Sequence, residues 1–210
     1  MNKELVRKYK YYSVIDNFYK DMATSKGVPY INHINEGVTH LENMKVDDTV
    51  INAFILHPFV QCVNLKGTYK DCLLTEKELE KHINIFEIEP EIAFDLLLYR
   101  KYANSYLCRE STDKYVLSDA FADVKGVVKY PNTIKMLIAD KLQNFKDFLQ
   151  YRQDHPRKEF LHNYFTNWLS ILSNISNSTS IEEYINTELV RMNQPKTKKV
   201  QLLPNGLLEI

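Results

Sequence analysis

"PNTIKMLIADKLQNFKDFLQ", residues 131–150, is the stretch on which the fold depends. Pro131 suits a first helical turn, where its missing N–H is one of the unpaired donors anyway. Behind it Ile138, Leu142, Phe145 and Leu149 fall on one stripe of a long helix. Asp140 is embedded in that apolar run, and Asn144 lies one turn later on the same face. A helix patterned this way has to bury its stripe against other helices.

Outward from there the same periodicity recurs almost everywhere. It predicts helices over 3–22, 31–44 and 48–57, the last capped by Asp47 or Asp48. Thr75 opens a capping box, Thr-Glu-Lys-Glu, for a short helix to about Ile83, and Pro90 begins another in "PEIAFDLLLYRKYANSYL". Residues 108–129 read as irregular and polar. Leu161, Phe165, Trp168, Leu172 and Ile175 then make one apolar face, and a last helix is expected from Ile181 to Met192. The tail "KTKKVQLLPNGLLEI" is a basic run followed by two apolar segments flanking Pro-Asn-Gly, a hairpin signal. The expectation is an all-α helical bundle over 1–193 and a tail, 194–210, forming a short C-terminal β-hairpin.

Composition sets the class. Among 210 residues, 44% are hydrophobic and 26% charged, and only 5 glycines and 7 prolines leave little room for long disordered linkers. Lysine plus arginine equals aspartate plus glutamate at 27 each, so net charge argues for neither nucleic acid nor membrane. Three cysteines, Cys62, Cys72 and Cys108, have no CxxC spacing and suggest neither a disulfide framework nor a structural zinc site. With no stretch of membrane-spanning length and a charged N-terminus, the chain reads as cytoplasmic.

The chemistry-bearing residues interrupt apolar helices. "GVPYINH", Gly27 to His33, delivers one histidine into the start of a helix; "FILHP", Phe54 to Pro58, closes another helix on His57. Pro58 removes a backbone donor and would cost about 3 kcal/mol inside a helix. A break at His57-Pro58 is therefore expected, with the Phe54 carbonyl finding another partner. Two histidines and the Asp140 carboxylate, brought from three helices, suit a transition metal or zinc with positions left open. Asn144 can orient Asp140 or bind a ligand. His40, seven residues after His33 on its face, is a reserve ligand, and His82, His155 and His162 read as ordinary packed or capping side chains.

"GVPYINH", "FILHP" and the downstream "MLIADKLQN" together resemble the HD-domain metal-dependent phosphohydrolases, in particular the hydrolase domain of RelA/SpoT proteins and their small stand-alone relatives. The likeness covers roughly residues 10–170 as an order of helices and landmarks. It implies an HD-like helical bundle, a divalent ion that is most often Mn2+, and hydrolysis of a phosphorylated nucleotide such as (p)ppGpp. By the same resemblance His33, His57 and Asp140 fall on metal positions, and Asp140, Asn144 and Gln61 on catalytic ones. Tyr30, Asn144 and Tyr164 fall near substrate. Lys26, Arg100 and Lys101 are phosphate-binding candidates by charge and position.

The sequence also departs from that pattern. The aspartate of the His-Asp pair is Pro58, which has no donor atom for a metal. The Glu-Asp pair that would handle protons is Gln61-Cys62. Two readings follow. One is a metal-dependent phosphohydrolase whose base is water or a carboxylate such as Asp119 or Asp123. The other is a catalytically silent protein of the same fold that binds a nucleotide or, through the tail, a protein partner or a second copy.

Overall fold

The computed structural model describes residues 6–24, 26–60, 76–85, 87–103 and 126–193, with backbone alone at 200–203 and 206–209. Residues 6–193 are helical wherever they form regular structure among those described. In chain order the α-helices are α1 (Tyr12–Tyr19), α2 (Ile31–Asn43), α3 (Asp48–Leu56), α4 (Glu76–Ile85), α5 (Pro90–Ala103), α6 (Pro131–Tyr151), α7 (Lys158–Ser176) and α8 (Thr179–Asn193). Short 3-10 turns follow α3 at His57–Val60 and precede α6 at Gly126–Lys129.

Helix α6 is the axis of the bundle. It packs against α2, α3, α5, α7 and α8. The unbroken run from Met136 to Gln143 is buried, including Asp140, Lys141 and Gln143. A helix covered on nearly every side is normally apolar all round. Three polar side chains in the middle of this one therefore need partners within the fold. The expected stripe is present: Ile138, Leu142 and Phe145 are fully buried. Leu149 packs on the same core.

Helix α3 is the other core element, with every residue from Val50 to Leu56 buried. Asp47 holds the position before it in extended backbone but makes no side-chain cap bond, so neither Asp47 nor Asp48 caps the helix as expected. The helix stops at Leu56, and Pro58 sits inside the following 3-10 turn, as its missing donor requires. Gly37 on α2 lets α3 come close: a Cβ there would lie 2.2 Å from Cζ of Phe54.

The N-terminal helix is shorter than its periodicity suggests. Among the described residues of the span 3–22, Val6 is helical, 7–11 turn, and the helix runs over Tyr12–Tyr19. Val6, Tyr9, Tyr11, Tyr12, Ile15 and Tyr19 are all buried, a set too wide for one helical stripe. The chain turns at 7–11 to bury the first tyrosines, and the Tyr11 hydroxyl donates to the Glu87 carbonyl at 3.1 Å. Helix α7 ends at Asn177, whose φ of 48° is the left-handed cap that asparagine tolerates. The Thr75 capping box, most of the irregular 108–129 segment and the end of "RKYANSYL" lie outside the described residues. No helix among the described residues is long and apolar enough to cross a membrane.

Candidate metal centre and its cleft

Three elements carry the centre. The loop between α1 and α2 turns at Gly27, whose φ of 76° favours a residue without Cβ. Thr24 N–H donates to the Val28 carbonyl at 2.8 Å, closing the loop and feeding Pro29-Tyr30 into the first turn of α2. His33 follows in that turn. His57 opens the 3-10 turn after α3, and Asp140 stands at the middle of α6.

Their side chains meet. One ligand atom from each of His33, His57 and Asp140 lies within 4.8 Å of the other two. The Nε2 atoms of the two histidines are 3.1 Å apart, and His33 Nε2 is 3.4 Å from Asp140 Oδ1. His57 and Asp140 are buried and His33 is half-buried.

Surrounding hydrogen bonds fix which ring atoms face inward. His57 Nδ1 lies 2.5 Å from the Phe54 carbonyl, an acceptor only, so Nδ1 carries the proton. That bond answers the proline: the carbonyl freed by the broken helix accepts from His57 itself, through its ring and its backbone N–H. His33 Nδ1 faces Gln143 Oε1, and Gln143 Nε2 donates to Asp147 Oδ2 at 2.8 Å, which sets the orientation of the amide. Both histidines thus spend Nδ1–H on an outer partner. In the neutral rings both Nε2 lone pairs point at the shared space.

Electrostatics favour a neutral His57 and an ionised Asp140. Burial holds the His57 imidazole down to about 3, with His33 pressing the same way, so it is neutral near pH 7. Burial raises Asp140, but the Lys141 ammonium and the two imidazoles more than offset it and hold the carboxyl down to about 2. Asp140 Oδ1 accepts from Asn144 Nδ2 at 2.8 Å, and Oδ2 accepts from Lys141 Nζ at 2.8 Å.

Two lone pairs and a carboxylate oxygen in one small space repel unless a cation lies between them. A divalent ion bonded at about 2.1 Å to each nitrogen spans the observed separation. The donor set, two neutral imidazoles and a carboxylate, fits a borderline or moderately hard divalent ion.

The group opens into a cleft of about 740 Å3. Lys26, Tyr30, Asn144 and Tyr164 line it, as the sequence reading expected of them. Lys26 Nζ pairs with Asp154 Oδ2 at 2.8 Å across its exposed rim. Arg100 and Lys101 do not line it. Helix α5 instead turns Tyr99 toward the centre, its ring 5.0 Å from His57, and successive helical residues diverge by about 100°. Lys101 is exposed and lies over the Tyr102 ring. Pro58 lines the cleft beside His57 and offers no donor, and Gln61, Cys62, Asp119 and Asp123 lie outside the described residues.

His40 is not part of the group. It is buried against α8, with Tyr184 Oη 2.7 Å from its Nδ1. Seven residues along a helix give the same face but about 10 Å of rise.

Sequence reading missed several cleft residues. Lys141 on the cleft wall, and Gln143 behind His33, were visible as polar residues beside Asp140 on an apolar helix. Arg152 and Arg157, with His155 between them, line the cleft from the turn joining α6 to α7, and "YRQDHPRK" was their only signal. Asp147 completes the wall on α6.

No protein-family model matches the chain, and no curated protein or solved structure matches it either.

Proposed function

We propose that this protein is a metal-dependent phosphohydrolase of HD-domain type, acting on a phosphorylated nucleotide such as (p)ppGpp. The observation that carries the reading is the convergence of two Nε2 lone pairs and the Asp140 carboxylate at the floor of a cleft. A divalent ion held there by His33, His57 and Asp140, Mn2+ by the resemblance, would lower the pKa of a bound water and polarise a phosphoryl oxygen.

The chain's own residues supply the rest. Asn144 and Lys141 hold Asp140 in place. Lys26, Arg152 and Arg157 bring positive charge to the cleft for phosphate groups. Tyr30, Tyr151 and Phe160 offer aromatic surface on which a base can stack. Hydrolysis adds water oxygen to phosphorus and breaks the bond to the leaving oxygen, which takes its proton from solvent when no side-chain acid replaces Gln61-Cys62.

One observation favours the alternative of a silent nucleotide binder. Pro58 stands on the cleft wall beside His57, where the resemblance expects a carboxylate. As part of either reading, Val200–Leu203 and Gly206–Glu209 form an antiparallel hairpin, with Val200 opposite Glu209, that serves as the docking element for a partner or a second copy.

The test is a panel of 3′- and 5′-phosphorylated guanine nucleotides with Mn2+, read by release of phosphate or pyrophosphate. The hydrolase reading expects release by wild type and none by Asp140→Asn at unchanged fold. Tight binding without release assigns the silent-binder function.

A further inference from the structure

We propose that Lys141 is a positioning residue that confines Asp140 to one ligating oxygen and keeps the centre's hold on its ion moderate. The proposal rests on the metal reading given above. A lysine is rarely buried without a specific partner. Lys141 is only 5% exposed, within the buried run Met136 to Gln143 at the middle of α6.

Its ammonium is fixed from three sides. Nζ donates to Asp140 Oδ2 at 2.8 Å. It also lies 5.2 Å from the centre of the Trp168 ring and 5.9 Å from that of Tyr164. Tyr164 and Trp168 are buried neighbours on α7, so this aromatic wall cannot readily withdraw.

The consequence falls on Asp140. With Oδ2 held by the ammonium, whose positive charge repels a dication, chelation of an ion through both oxygens is disfavoured. Oδ1, held by Asn144, is the oxygen turned toward His33. The single negative charge of Asp140 is also matched already by Lys141. An incoming dication therefore keeps its charge for anionic ligands, but is bound less tightly than a free carboxylate would bind it. Lys141 lines the cleft as well, so its charge faces the same space.

A lysine that merely fills and stabilises the core would behave differently on removal. Its loss would lower the melting temperature and leave the ion's affinity unchanged. A positioning lysine makes a further demand. Without it Asp140 loses its nearest counter-charge, and a bound ion supplies a replacement.

The experiment compares chelator-stripped wild type, Lys141→Met and Lys141→Arg, titrated with Mn2+ and followed by the electron paramagnetic resonance of the free ion. Melting temperature is recorded with and without Mn2+. Lys141→Met is expected to bind Mn2+ about ten-fold more tightly, because removing the ammonium lifts its repulsion of the dication and frees the Asp140 charge. It should also gain more in melting temperature from Mn2+ than wild type does. Lys141→Arg, which keeps the charge, stays near wild type. If Lys141→Met does not fold, Lys141→Gln serves the same comparison. Equal or weaker binding by the neutral variant overturns the role of Lys141 while leaving the metal centre standing. A folded wild type that takes up no Mn2+ removes the metal reading and this proposal with it.

Discussion

His33 and His57 turn their Nε2 atoms toward each other at 3.1 Å, while Nδ1 of each is engaged behind it. The outer partners differ in kind. His57 is held by the backbone of its own helix end, at the Phe54 carbonyl. His33 is held by the Gln143–Asp147 pair of α6. One imidazole is therefore set by local chain geometry and the other by a side-chain relay that mutation can cut.

Cutting that relay should loosen the ion. Gln143→Met keeps volume in a fully buried position but leaves His33 Nδ1–H without its acceptor. Loss of such a partner typically lowers metal affinity about 10–100-fold. Calorimetric titration of Mn2+ into the stripped variant checks this. The direction is opposite to that expected for Lys141→Met, so the two variants separate two distinct supports of one site.

Gly37 couples packing to the site. A Cβ at this position would meet two Phe54 ring atoms at 2.2 and 2.3 Å. Phe54 is fully buried, and its ring lies 4.6 Å from that of His57. Gly37→Ala should therefore cost about 2 kcal/mol by overpacking. It should also displace His57, because the residue that must move carries the carbonyl orienting it. Urea unfolding measures the first effect, and the histidine ring resonances report the second.

His40 gives the fold a pH dependence apart from the centre. Burial holds its imidazole down to about 4 from an ordinary 6.5, with Arg191 and Lys146 acting in the same direction. The Glu188 carboxylate 4.0 Å away is therefore not an ion-pair partner near neutral pH, and it is Arg191 that Glu188 binds, at 2.5 Å. The unfolded chain takes up the proton first as pH falls, so stability is full above about pH 6.5 and declines toward pH 4. The contribution of His40 is ~3 kcal/mol across that window. His57 adds a loss of the same sign. His40→Gln should flatten the stability–pH curve by the His40 share alone, measured by urea unfolding between pH 7 and pH 4.

Much of this was legible in the chain because the clues were contrasts. Asp140 within "MLIADKLQN", and His57 between an apolar run and a proline, are polar groups where helical periodicity demands apolar ones. Such residues either find partners or gather at a site. The stripe of α6 and the break at Pro58 followed from the same local rules. Arg100 and Lys101 lie outside the cleft lining for a different reason. Charge near the right element does not say which side of a helix faces the cleft, and Tyr99 is the residue α5 turns inward. The residues at 7–11 turn where helix was expected because tertiary burial of several tyrosines outweighs local helical preference. Gln143, Asp147, Arg152 and Arg157 act through partners distant in sequence, and no spacing rule exposes such pairs. His40 shares a helical face with His33, yet the rise of the helix carries it to α8.

The central claim is that His33, His57 and Asp140 hold one divalent ion. Its most direct test is anomalous diffraction from crystals of the protein equilibrated with Mn2+, collected at the manganese edge. The account predicts one strong peak per chain within about 2.0–2.3 Å of His33 Nε2, His57 Nε2 and Asp140 Oδ1. A peak held by other residues, or none between the two imidazoles at saturating Mn2+ and neutral pH, would contradict it.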